Sequence, residues 1–113
     1  MWRLSLRTSH REIRLTEAAR EELKRLARSP AEAGRYNQAL KTIELLETNP
    51  RHPSLNTHKF RSLAGPEGEE AFEAYVQNRT PGAYRVFFHY GPDRLEKGKR
   101  VAVVTIVAIT PHP

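Results

Sequence analysis

Cysteine is absent from the 113 residues. Disulfides and cysteine-based zinc sites are therefore excluded, and a reducing cytoplasm is the simplest setting. Long apolar runs are absent too. The longest, Val101 to Ile109, is about half a membrane span. The N-terminal Met1-Trp2-Arg3-Leu4-Ser5-Leu6-Arg7 has no continuous apolar segment, so no signal peptide is expected. There is no GxSxG, no glycine-rich phosphate loop and no dinucleotide fingerprint. The five histidines, His10, His52, His58, His89 and His112, show neither HxxxH nor HExxH spacing. Zinc needs three or four convergent ligands, so no metal or other cofactor is expected. Internal repeats, linkers and low-complexity segments are likewise missing.

What is present is basic. The formal net charge is +6 and the isoelectric point about 10.1, a balance that suits anionic partners, chiefly nucleic acid or an acidic protein. The charge is not concentrated. Residues 1–48 hold ten Lys/Arg against seven Asp/Glu, and residues 49–113 hold nine against six. A solvated basic surface explains the charge alone as well as a binding face does. The length allows one domain, 1–113, with one core that buries roughly 65% of the unfolded chain's surface.

The strongest structural signal is C-terminal. Tyr84 to Tyr90 and Val101 to Ile109 are rich in β-branched and aromatic residues. The second run is apolar at nearly every position, as in a strand covered on both faces. The first alternates, with Tyr84, Val86, Phe88 and Tyr90 on one side and Arg85, Phe87 and His89 on the other. Upstream, residues 1–10 read as an extended arm and Arg11 to Leu15 as a short strand. Thr16 caps a helix with Glu17 near its positive end, and Leu15, Ala19, Leu23, Leu26 and Ala27 form its stripe up to Arg28. Ser29-Pro30-Ala31-Glu32 reads as a capping box. It opens a second helix that carries Tyr36, Ala39, Leu40, Ile43 and Leu46 and stops at Asn49-Pro50.

Strands are then expected at His58 to Leu63 and Ala71 to Asn78, with Phe72, Ala74 and Val76 inward and Glu73, Tyr75 and Gln77 outward. Thr80-Pro81-Gly82-Ala83 suits a type II turn, and Gly91 to Arg100 reads as a charged loop. Glu69, Glu70 and Glu73, placed in or beside a loop, read as solvated charge or as partners of nearby arginines. The fold class is α+β, in the order β-α-α-β-β-β-β. An antiparallel four-strand sheet gains an N-terminal edge strand, and a helical hairpin covers one face.

Neighbouring outward residues meet across strands. Tyr75, Gln77 and Arg79 therefore face Arg85, Phe87 and His89. An arginine in such a place is either an ion-pair residue, with Glu73 as its partner, or part of an anion site. A sheet face with arginines, a tyrosine and a histidine can hold RNA by phosphate contacts and stacking.

These residues carry a resemblance. The chain from Glu12 onward resembles the RelE/ParE superfamily of toxins from type II toxin–antitoxin pairs. The resemblance lies in four stretches: Leu-Thr-Glu-Ala-Ala at the first helix, Leu-Glu-Thr-Asn-Pro-Arg-His-Pro-Ser-Leu after the second, Ala-Tyr-Arg-Val-Phe-Phe, and the terminal Ile-Thr-Pro-His-Pro. It implies a metal-independent, ribosome-dependent endoribonuclease acting on messenger RNA. In that chemistry the ribose 2′-hydroxyl attacks the neighbouring phosphate, and positive charge, a base and an acid assist.

By the same resemblance Arg85 contacts the scissile phosphate and His112 is the terminal catalytic histidine, while Tyr75, read from its own chemistry, stacks a base, acts as a weak acid or packs in the core or rim. Arg79, Gln77, Lys59, Arg61 and His89 are the expected RNA contacts. One departure is plain: two lysines of RelE proper fall here on Tyr75 and Gln77. The implied partners are a cognate antitoxin, messenger RNA and the ribosome, with no membrane, in a monomer or a toxin–antitoxin hetero-oligomer. Two alternatives share the fold: a ParE-like inhibitor of DNA gyrase without nuclease activity, and a non-toxic basic interaction domain.

Overall fold

The structure is a computed structural model that describes residues 10–77 and 82–111. The elements run β1 (Glu12–Leu15), α1 (Glu17–Arg28), a 3₁₀ turn (Pro30–Glu32), α2 (Ala33–Thr48), a second 3₁₀ turn (Pro53–Leu55), β2 (His58–Ala64), β3 (Glu70–Tyr75), β4 (Tyr84–Tyr90), β5 (Arg94–Glu96), β6 (Lys99–Val101) and β7 (Val103–Pro111). The main sheet has the order β1-β7-β4-β3-β2. Strands β2, β3, β4 and β7 are antiparallel neighbours. Strand β1 closes the far edge parallel to β7. The α+β architecture, the antiparallel four-strand unit and the N-terminal edge strand are thus as expected, and β7 is central as its apolar run implies.

Both helices pack on one face. Ala19 and Leu26 of α1 and Leu46 of α2 meet Ala74, Tyr84, Val86, Phe88, Val104, Ile106 and Ile109 of the sheet. Thr16 caps α1, its hydroxyl accepting the Ala19 N–H at 3.3 Å and donating to the Val107 carbonyl at 2.9 Å. The cap therefore also seats the helix on the sheet. A polar network closes the other end of the interface. The Tyr84 hydroxyl donates to Glu22 at 2.7 Å and accepts from Arg25 at 2.9 Å. The Arg35 guanidinium lies over the Tyr84 ring at 4.4 Å. Burial first, and then the Glu22 contact, push the Tyr84 hydroxyl pKa up, while Arg25 holds Glu22 below the usual carboxylate range.

Four details differ from expectation. Ser29 makes no side-chain cap hydrogen bond; proline opens a separate 3₁₀ turn, and α2 starts at Ala33, so no capping box forms. Ala27 and Leu40 are exposed. Thr42 is buried instead, because its hydroxyl has the carbonyls of Gln38 and Tyr75 to donate to, each at 3.1 Å. Glu73, on the strand as expected, is buried rather than solvated.

The stretch from Gly91 to Arg100 is not a loop. It contains most of a second, two-stranded sheet, β5-β6, and β7 runs on to Pro111. Lys97 and Gly98 have φ of 53° and 80°, the left-handed pair that a two-residue hairpin turn requires and that glycine adopts without strain. The expected turn at Thr80-Pro81-Gly82-Ala83 falls largely outside the described residues.

This hairpin is tied to the sheet by charge. Arg94 reaches Glu12 of β1 at 2.7 Å, and Arg14 takes the other carboxylate oxygen at 2.7 Å. Hydrogen bonds from Arg94 first, and then from Arg14, hold the Glu12 carboxyl at a pKa of about 2. A carboxylate with a depressed pKa contributes stability that is complete above its ordinary pKa and is lost as pH falls through the folded value. The Glu12 contribution should therefore disappear between about pH 4.5 and about pH 2. Urea unfolding of wild type and Glu12→Gln should show a stability gap at pH 6 that closes across this window. A gap that stays constant to pH 2 would refute the assignment.

Candidate active site

The sheet face turned away from the helices carries the cluster of interest, and strand register builds it. His58 of β2 stands opposite Glu73 of β3. Glu73 stands opposite Phe87 of β4, and Tyr75 stands opposite Arg85. Residues facing each other across antiparallel strands share a side of the sheet, so His58, Glu73, Tyr75, Arg85 and Phe87 converge. Phe60 packs edge-on against Phe87, with ring centroids 4.8 Å apart, and floors the site with carbon.

Glu73 sits at the centre and is 1% exposed. One carboxylate oxygen lies 2.7 Å from His58 Nε2. The other lies 3.6 Å from Arg85 Nε. A buried carboxylate survives only when paired, and this one faces two nitrogen donors. His58 is 48% exposed, so the ring bridges the buried acid and solvent. Its Nδ1 lies 2.9 Å from the Asn56 carbonyl. Carboxylate and carbonyl oxygens only accept hydrogen bonds. Each ring nitrogen thus faces an acceptor oxygen, and the tautomer decides which of the two receives the ring proton.

Arg85 is 8% exposed. Its Nη1 donates to the carbonyls of Gln77 at 2.8 Å and Tyr84 at 3.2 Å. Its Cζ lies 3.7 Å from the centroid of the Tyr75 ring, a stacked cation–π contact. Nε is buried and makes no hydrogen bond among the described residues. Nη2 carries no hydrogen bond or ion pair among them either. The guanidinium is therefore clamped by two carbonyls at Nη1 and by the Glu73 ion pair at Nε. Of the two roles left open for Arg85, the structure shows the ion pair with Glu73.

The other expected residues divide. Tyr75 joins the cluster, with its ring under Arg85 and in a T-shaped contact with His58, 6.2 Å away between centroids. Gln77 is occupied by structure: its side-chain oxygen accepts from Arg35 at 3.1 Å and from the Tyr84 N–H at 3.2 Å. His89 lies on the site's side of β4 but is 2% exposed and contacts the Tyr90 carbonyl at 3.3 Å. Lys59 stands opposite Phe72, which packs against the core. It therefore belongs to the helix-side face and pairs with Glu70 at 2.9 Å. Arg61 is exposed and lines a recess of about 230 Å³ with Lys59, Phe60, Glu69 and Glu70, of which Phe60 also packs beside the Arg85 cluster. Nearby, backbone N–H groups of Glu69 and Glu67 hold the Glu69 carboxyl below its ordinary range. Arg79 and His112 lie outside the described residues.

His58 is the member that sequence reasoning did not select. Its place depends on the β2–β3 register, which is interrupted by an irregularity between Lys59 and Ala64. No composition or spacing signal encodes that register. Among the described residues no group of three or more His, Cys, Asp or Glu is placed to hold a metal ion.

No protein-family model matches the chain, and no curated protein sequence matches it. A solved structure does: the YoeB/ParE toxin from Agrobacterium tumefaciens, with a TM-score of 0.61 over 90% of this chain and 99% of that one, at 10% sequence identity. At that identity the likeness is one of backbone arrangement. The protein has the fold of the YoeB/ParE toxin.

Proposed function

We propose that this chain is the toxin of a toxin–antitoxin pair and cuts messenger RNA on the ribosome without a metal cofactor. The observation that carries the reading is the convergence of a buried carboxylate, a half-exposed imidazole and a clamped guanidinium on one sheet face. A transfer reaction at a phosphodiester needs a proton acceptor, a proton donor and positive charge on the phosphate. The toxin fold of the structural neighbour and the charge of +6 support the same reading.

In the proposed step His58 acts as the neutral tautomer with its proton on Nε2, toward Glu73, and its unprotonated Nδ1 takes the proton of the ribose 2′-hydroxyl. The 2′-oxygen forms a bond to phosphorus, the bond to the 5′-oxygen breaks, and its electron pair stays on that oxygen. His112, assigned by the resemblance, supplies the proton there. Arg85 Nη2 balances the added charge on the phosphate. Tyr75 positions the guanidinium, since its ring face is already covered by Arg85. Arg79 contacts the RNA backbone near the cut. An acidic antitoxin segment would quench the same basic surface.

One observation favours a second reading. Arg85 is buried and ion-paired, as in a face that only supports a binding surface, and a ParE-like inhibitor of DNA gyrase needs no proton-transfer group. Toeprinting of a translated messenger with purified protein separates the two. Stops at codons in the ribosomal A site are the expected result. An intact messenger together with inhibited gyrase supercoiling would move the second reading ahead.

A further inference from the structure

The β5-β6 hairpin is a basic projection that the proposed cleavage does not use. Its root is braced. Asp93 accepts the Val103 N–H at 3.0 Å and pairs with Arg100 at 2.9 Å. Arg94 is held by Glu12 at 2.7 Å and by Glu96 at 2.9 Å. Those contacts engage both acids of the hairpin. Lys97 and Lys99 are left exposed without an ion pair among the described residues, and Arg100 remains 79% exposed despite its partner. Leu95 is 74% exposed, more than any other large hydrophobic of the described residues.

Register places these groups in three directions. Leu95 stands opposite Arg100 and shares its face, while Lys99 stands opposite Glu96 on the other face. Lys97 is at the tip, in the turn with Gly98. Each strand has three residues, so the ribbon is about 10 Å long. A flat anionic surface, such as a membrane, could meet only one of these faces. A groove bordered on each side by a phosphate strand can meet both faces and the tip.

We propose that this hairpin docks into the groove of an RNA double helix and forms a second RNA contact separate from the Arg85 cluster. The wide, shallow minor groove of A-form RNA presents phosphates and 2′-hydroxyls across its width and is recognised by shape. Lys99 and Arg100 reach the opposite phosphate strands, Lys97 enters between them, and Leu95 covers sugar carbons. Contacts to phosphates position the protein without reading sequence. On this account the hairpin holds the toxin on structured RNA while the sheet face takes a single strand. The inference rests on the reading of the chain as an RNA-binding protein but not on its cutting RNA.

The test uses Lys97→Gln/Lys99→Gln, which leaves the Asp93–Arg100 and Arg94–Glu12 braces in place. Binding of a labelled RNA duplex of about 16 base pairs is followed by fluorescence anisotropy between 50 and 300 mM salt, beside a labelled polyglutamate of matched charge. The double variant should bind the duplex roughly tenfold more weakly, with a log–log salt slope shallower by about 2, one unit for each phosphate contact removed. Its thermal unfolding should match wild type. Equal duplex affinity and slope in the two proteins would overturn the hairpin's role, whatever toeprinting says of cleavage. Equal losses for RNA and polyglutamate would also overturn it, since the lysines would then serve any polyanion.

Discussion

Arg85→Lys should leave a folded protein whose cleavage of messenger RNA falls by about 10²–10³, the range for loss of one preorganised charge-stabilising donor. Lysine keeps the charge, so the Glu73 carboxylate retains a countercharge and the severe cost of an unpaired buried acid is avoided. The planar fork cannot be copied. Arg85 spans the Gln77 and Tyr84 carbonyls, the Glu73 carboxylate and the Tyr75 ring at once. An ammonium on a flexible stem satisfies at most part of that set and loses the stacked geometry over the Tyr75 ring. Circular dichroism and urea unfolding establish the fold, and toeprinting gives the rate. A variant that unfolds would make Arg85 structural; one that cuts at the wild-type rate would make it incidental.

Glu73→Gln should have the largest effect on stability, about 3–5 kcal/mol, the usual cost of breaking a buried ion pair by removing one partner. The amide keeps the shape of the carboxylate but leaves Arg85, itself 8% exposed, with a buried charge and no countercharge. It also weakens the hold on His58, whose Nε2 lies 2.7 Å from the carboxylate, because a neutral amide is a poorer acceptor. Cleavage should therefore fall even at temperatures where the variant stays folded, because the imidazole is held less firmly in its orientation and tautomer. Urea unfolding gives the first quantity. Single-turnover cleavage well below the midpoint of thermal unfolding gives the second. A stability change under about 1 kcal/mol would show that the Arg85–Glu73 pair contributes little. A stable variant with wild-type cleavage would remove His58 and Glu73 from the proposed chemistry.

Much of the fold is legible in the chain because local chemistry and global packing agree. Thr16 supplies a side-chain acceptor to a free helical N–H, Asn49-Pro50 ends the second helix, and the apolar run of β7 requires cover on both faces, which only a central strand receives. Patterns failed where a tertiary partner intervened. Thr42 replaces Leu40 in the interface because the Tyr75 carbonyl needs a donor there. The charged stretch at Gly91 to Arg100 folds into a hairpin about the Lys97-Gly98 turn, and Glu12, far away in the chain, ties it to the sheet through Arg94.

The site divides in the same way. Alternation along β4 determined by itself that Arg85, Phe87 and His89 would share the side opposite Val86 and Phe88, since a strand's period is two. Composition determined that disulfides and thiolate metal sites are excluded and that anionic partners are favoured. Only the tertiary structure decided what those side chains face. It buried His89, turned Lys59 to the other side of the sheet and brought His58 to Glu73 across fifteen residues. The reason is register: hydrophobic patterning specifies which face of a strand is inward, but which outward residue meets which is set by turns, bulges and neighbouring strands that no local stretch encodes.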